Sequence, residues 1–96
     1  KIFDRLAIHY SDRCVYYEEQ AINLTKTEYG IVETLSLNSG QVFSKDQLYE
    51  KVRGFDGCAD SSIVMEHIRR IRSKIGKYTD HTFIETVWGV GYRWIG

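Results

Sequence analysis

Residues 62–76 read SIVMEHIRRIRSKIG, and this stretch decides the fold. At about 100° per residue, Val64, Ile68, Ile71 and Ile75 fall in one narrow sector, the i, i+4, i+7 pattern of an amphipathic helix with a buried apolar stripe. The opposite sector collects Ser62, Glu66, Arg69, Arg70 and Ser73. Met65 and Arg72 flank it on one side, His67 and Lys74 on the other. A helix that anchors branched aliphatics in a core and turns Arg, Lys and Ser outward has the width and donor chemistry to enter a DNA major groove. The competing reading is a solvated basic face, since Arg72, Lys74 and Lys77 lie near the helix C-terminus, where cations offset the dipole.

Outward from this helix, the chain divides cleanly. After Gly76 a polar loop over 77–82 leads into FIETVWGVGYRWI, residues 83–95, two β-rich runs broken by Gly89 and Gly91 that predict a terminal hairpin. Before it, residues 55–61 (FDGCADS) form a Gly-bearing loop that delivers Asp60 or Ser61 as the helix cap. Further back, Ser44-x-x-Gln47 is a capping box with Phe43 and Leu48 as its staple, predicting a helix to about Arg53 that Gly54 ends. Thr25-x-x-Glu28, stapled by Leu24 and Tyr29, starts another helix with Tyr29, Val32 and Leu35 inward and Gly40 as its αL stop. Gly30 weakens that helix by about 1 kcal/mol relative to Ala. The first 24 residues read as three strands. They are 2–8, with Ile2, Leu6 and Ile8 on one face and Asp4 between them; 13–17, after a Ser11-Asp12 turn; and 21–24, after a polar Glu18-Glu19-Gln20 connection. Three strands so closely spaced predict an antiparallel meander that something else must cover.

Ninety-six residues with 43% apolar, 14% aromatic and 27% charged side chains suffice for one domain with one core. No apolar run approaches the roughly 18 residues of a membrane span, and KIFDRLAI is no signal peptide, so the expectation is a soluble, cytosolic domain without a membrane partner. Because it opens in strand-like sequence, it is expected to be a piece of a longer protein. The net charge of zero argues against unselective nucleic-acid binding. The charge is polarised, however: residues 1–60 carry seven Lys/Arg against ten Asp/Glu, and residues 61–96 carry six against three. Cys14 and Cys58 lack any CxxC or Cys/His spacing; they read as free thiols, a disulfide between them staying open, and no metal or cofactor is expected. His9, His67 and His81 are scattered, and neither HExxH nor GxSxG occurs, which argues against an enzyme. GVG at 89–91 without a third glycine or a following helix is no dinucleotide loop. Sheet, three helices and hairpin in this order make an α+β winged helix-turn-helix.

Four segments, INLTKTEYGIVETL, SGQVFSKDQLYEKV, VMEHIRRIRSKIG and FIETVWGVGYRW, resemble in wording and order the C-terminal effector domain of OmpR/PhoB-type response regulators, across essentially the whole chain. The resemblance implies sequence-specific binding of double-stranded DNA and control of transcription within a two-component system, with the third helix in the major groove and the hairpin, or wing, at the adjacent minor groove. It implies base reading by Arg70, with Glu66 and Met65 on the same face, and phosphate contacts from Arg69, Arg72, His67, Ser62, Lys74 and Thr86. Glu66 suits either cytosine N4 or an i, i+4 pairing with Arg70. In the wing, Gly89 and Gly91 read as turn geometry. Some family members carry Arg where this chain has Trp88, whose indole cannot supply that charge and is left to pack on the sugar-phosphate backbone or to close the hairpin. Tyr92 suits the core or a phosphate hydrogen bond. The same resemblance makes Phe55, Asp56 and Asp60 a loop facing RNA polymerase, and implies a homodimer on DNA in the full-length protein, formed through an N-terminal receiver domain absent from these 96 residues. A winged-helix protein-interaction module that does not bind DNA is the alternative.

Overall fold

The computed structural model describes residues 1–52, 54–55 and 60–96. Arg53 as a helix end, Asp56 as a polymerase contact and Cys58 as a thiol lie outside the described residues. Four short strands open the chain, β1 (Ile2–Phe3), β2 (Leu6–His9), β3 (Cys14–Tyr17) and β4 (Gln20–Ile22), antiparallel and in sequential order.

The single strand expected over 2–8 is two strands. Asp4 adopts φ 56°, and the two-residue turn it forms with Arg5 pairs Phe3 with Leu6 and Ile2 with Ala7. Paired residues share a face, so Ile2 lies opposite Leu6 and Ile8. It is 71% exposed where they are wholly buried. The expected polar connection at 18–20 is likewise a two-residue turn, with Glu18 and Glu19 at φ 47° and 73° between the paired Tyr17 and Gln20. Two positive φ angles define the type I′ hairpin geometry, which usually takes Asn-Gly.

Both capping boxes form. Thr25 Oγ1 accepts from Glu28 N at 3.1 Å and Glu28 Oε1 from Thr25 N at 2.9 Å, starting α1 (Lys26–Leu37). Ser44 and Gln47 repeat the exchange at 3.1 and 2.8 Å to start α2 (Lys45–Lys51). The ends differ from expectation. Asn38, not Gly40, caps α1, its side-chain amide donating to Thr34 O at 2.8 Å; Gly40, at φ 88°, belongs to the next turn. α2 stops at Lys51, with Val52 as its C-cap. In α3 (Ile63–Gly76) the N-cap position falls to Ser62, whose side chain makes no cap bond. Asp60 acts two residues earlier, its Oδ1 accepting from Ser62 N at 2.9 Å.

The apolar stripe of α3 is buried as its spacing requires: Val64, Ile68, Ile71 and Ile75 are at most 5% exposed, in one core with Tyr29, Ile31, Val32, Leu35 and Leu48. Each such aliphatic stabilises the fold by about 2 kcal/mol on burial. A hairpin of β5 (Ile84–Val87) and β6 (Gly91–Trp94) ends the chain. Phe43 and Tyr92 exchange two backbone hydrogen bonds of 2.8 Å, which fasten the hairpin to the segment before α2. That approach explains Gly91, where a Cβ would fall 2.0 Å from Phe43 O. Gly91 is therefore a close-packing glycine, and the turn belongs to Gly89, at φ 78° with Val90 N donating to Val87 O at 2.9 Å. No described helix is long and apolar enough to cross a membrane.

Candidate nucleic-acid interface

With its aliphatic stripe in the core, α3 is left only one way to point its arginines. The side chains of Arg69 and Arg70 are 68% and 48% exposed, and both meet Glu66. Arg69 donates to its two oxygens at 3.0 and 2.6 Å, and Arg70 Nε to Oε2 at 3.1 Å. The Arg69 hydrogen bond leads the causes that hold the Glu66 carboxyl at a pKa of about 2. Ser62 and Met65 are exposed on the same helix, Met65 at 54%.

Arg72 joins helix to wing. Its Nη2 donates to Ile84 O at 3.0 Å and to Thr86 Oγ1 at 2.8 Å, and its guanidinium lies 5.8 Å from the Tyr92 ring centre. Two residues expected at phosphates, Arg72 and Thr86, thus hold each other. Tyr92 is buried, which settles it as a core residue. The wing tip is open: Trp88 is 89% exposed and Val90 57%. An indole that exposed does not close the hairpin. A groove of about 370 Å³ runs between tip and helix, lined by Lys45, Met65, Thr86, Trp88 and Val90 among others.

Lys74, His67 and Phe55 stand apart from this surface. Lys74 Nζ lies 2.6 Å from Glu28 Oε1 and binds α3 to α1. His67 Nδ1 lies 3.0 Å from Ile63 O, and its ring meets Phe55 edge-on at 5.0 Å. Phe55 is 8% exposed and stacks on Tyr49 at 5.4 Å, so its ring fills space under α3 instead of facing a partner. Asp60 is exposed; the Ser62 backbone N–H leads the causes that lower its pKa, with Lys45 contributing. Lys45 was not singled out from the sequence. A signal existed, because a cation in the first turn of a helix opposes the dipole and calls for another reason to be there.

A three-helix core whose last helix and a C-terminal hairpin share one exposed surface defines a winged helix-turn-helix domain. The family described as "Transcriptional regulatory protein, C terminal" matches residues 19–94, and this chain belongs to it, as an OmpR/PhoB-type effector domain. The transcriptional regulatory protein SpaR of Bacillus subtilis is 38% identical over 94 residues, which cover 98% of this chain and 42% of SpaR. Among solved structures, the response regulator DrrB of Thermotoga maritima, an OmpR/PhoB homolog, is 30% identical with a TM-score of 0.87, covering 100% of this chain and 44% of that one. The RstA DNA-binding domain of Klebsiella pneumoniae, solved in complex with the RstA box, is 27% identical with a TM-score of 0.80, covering 98% and 94%. The chain thus spans about two-fifths of the length of SpaR.

Proposed function

We propose that this domain binds double-stranded DNA sequence-specifically as the effector domain of a cytoplasmic two-component response regulator that controls transcription. The observation that carries the reading is the Arg72 tie to Ile84 and Thr86, which brings the exposed pole of α3 and the wing to one surface. In this reading α3 lies in the major groove with Arg70 and Glu66 at base edges and Met65 beside them. Arg69, Ser62 and Lys45 face phosphates, and the wing with Trp88 rests on the flanking backbone. Arg72 and Thr86 position the wing and touch DNA from there, whereas Lys74 and His67 support the fold. Binding, with no reaction catalysed, is the activity. Full-length copies pair on DNA, and the loop containing Asp56 and Asp60 meets RNA polymerase; both statements rest on family membership alone.

Selection of bound duplexes from a random pool, followed by anisotropy titrations across salt, tests this. The expected log-log salt slope is about −4 to −6, from about −0.9 for each of four to seven phosphate contacts. A flat slope and no enriched sequence would favour the protein-interaction module instead.

A further inference from the structure

Three hydrogen bonds from two arginines converge on one carboxylate at the outward pole of α3. A surface cluster of this kind, screened by solvent, adds little to folding. The buried stripe already fixes the helix. The consequence of the cluster falls on what the arginines may bind. A phosphate approaching Arg69 finds Nε and one face of Nη2 already engaged by Glu66 and sits beside the carboxylate's negative charge, a cost that applies to every DNA sequence alike. A base edge is different. There the carboxylate accepts from a cytosine N4 amino group while a released guanidinium donates to guanine O6 and N7.

Resting on the DNA-binding reading above, we infer that Glu66 is a specificity-determining residue, an internal counter-ion that weakens phosphate contacts by Arg69 and Arg70 on any sequence and stops doing so where the major groove offers its carboxylate a donor. It sits within hydrogen-bond reach of both exposed arginines at once, at 2.6 and 3.1 Å. Its carboxyl stays ionised throughout the neutral range, held at a pKa of about 2. A chain with a net charge of zero is also one in which a single added or removed charge at the DNA-facing pole is felt.

The test is Glu66→Gln, measured by anisotropy on a random-sequence duplex and on a site selected with the wild-type domain, between about 50 and 200 mM salt. On random DNA the variant should bind tighter, with a slope steeper by about 0.9 for each arginine released. On the selected site it should gain less or lose, so that the ratio of specific to random affinity falls. Arg69→Ala added to Glu66→Gln should remove the share of the gain on random DNA that Arg69 supplies. An unchanged slope on random DNA, or an equal gain on both duplexes, overturns the inference while wild-type binding stands. A wild-type domain with no salt-dependent binding to either duplex overturns the DNA reading itself.

Discussion

Lys74 Nζ lies 2.6 Å from Glu28 Oε1, joining helices whose residues are 46 apart in the chain. Glu28 is 1% exposed, whereas the Lys74 side chain keeps 31% of its surface. Burial opposes the Glu28 charge, but the Lys74 hydrogen bond and the Thr25 N–H outweigh it and hold the carboxyl below its ordinary range. One carboxylate therefore closes the capping box of α1 and fastens the C-terminal turn of α3.

Lys74→Met should cost about 3 kcal/mol in urea unfolding at pH 7, because it strands a buried carboxylate without its cation. Glu28→Gln keeps a side chain able to complete the capping box and should cost less. The pH dependence has a definite sign. A depressed folded pKa gives stability that is complete above the unfolded value, about 4.5, and disappears as pH falls through the folded one. The stability gap between wild type and Glu28→Gln should narrow over that acid range. Melts with the same gap at pH 7 and pH 3 would refute the linkage.

Arg70 and Arg72 should separate in function although they are two residues apart. Arg70→Ala should cost about 1 to 3 kcal/mol on a selected site and relax one base position. Arg72→Ala removes the tie to Ile84 O and Thr86 Oγ1. It should weaken all duplexes similarly and speed amide exchange in Ile84–Val87. Unaltered exchange there would show that the wing holds its place without Arg72.

The two tryptophans make the wing visible. Trp94 is fully buried and Trp88 is 89% exposed, so acrylamide should quench chiefly Trp88, and Trp88→Phe should remove that component. On DNA the accessible component should become protected. Trp88→Ala should weaken binding by about 1 kcal/mol with no change in salt slope, since an apolar contact releases no counterion. Quenching that is the same with and without bound duplex would place the wing tip off the DNA.

Glu19→Gly should stabilise the domain by about 1 kcal/mol. Glu19 sits at φ 73° in a turn where glycine adopts that angle without steric cost. A thermal melt that falls instead would show that the Glu19 side chain contributes more than its backbone strain removes.

The sequence alone was enough wherever the deciding interaction is local. Thr25 with Glu28, Ser44 with Gln47, and the Val64, Ile68, Ile71, Ile75 stripe are all set by neighbours three to four residues away, because a helix brings those positions together whatever surrounds it. The fold class and the outward pole of Arg69 and Arg70 followed from that periodicity. Tertiary structure decided which cations are tied to other elements of the fold. Lys74 faces Glu28 across 46 positions and Arg72 faces Thr86 across 14, pairings that helical spacing does not encode. Turns and helix ends behaved likewise. Asp4, Glu18 and Glu19 take left-handed angles that their side chains disfavour, and Gly91 is small because Phe43 passes close to it. Local rules read what one segment does to itself; the approach of a second backbone, and the partner it brings within 3 Å, exist only once the chain has folded.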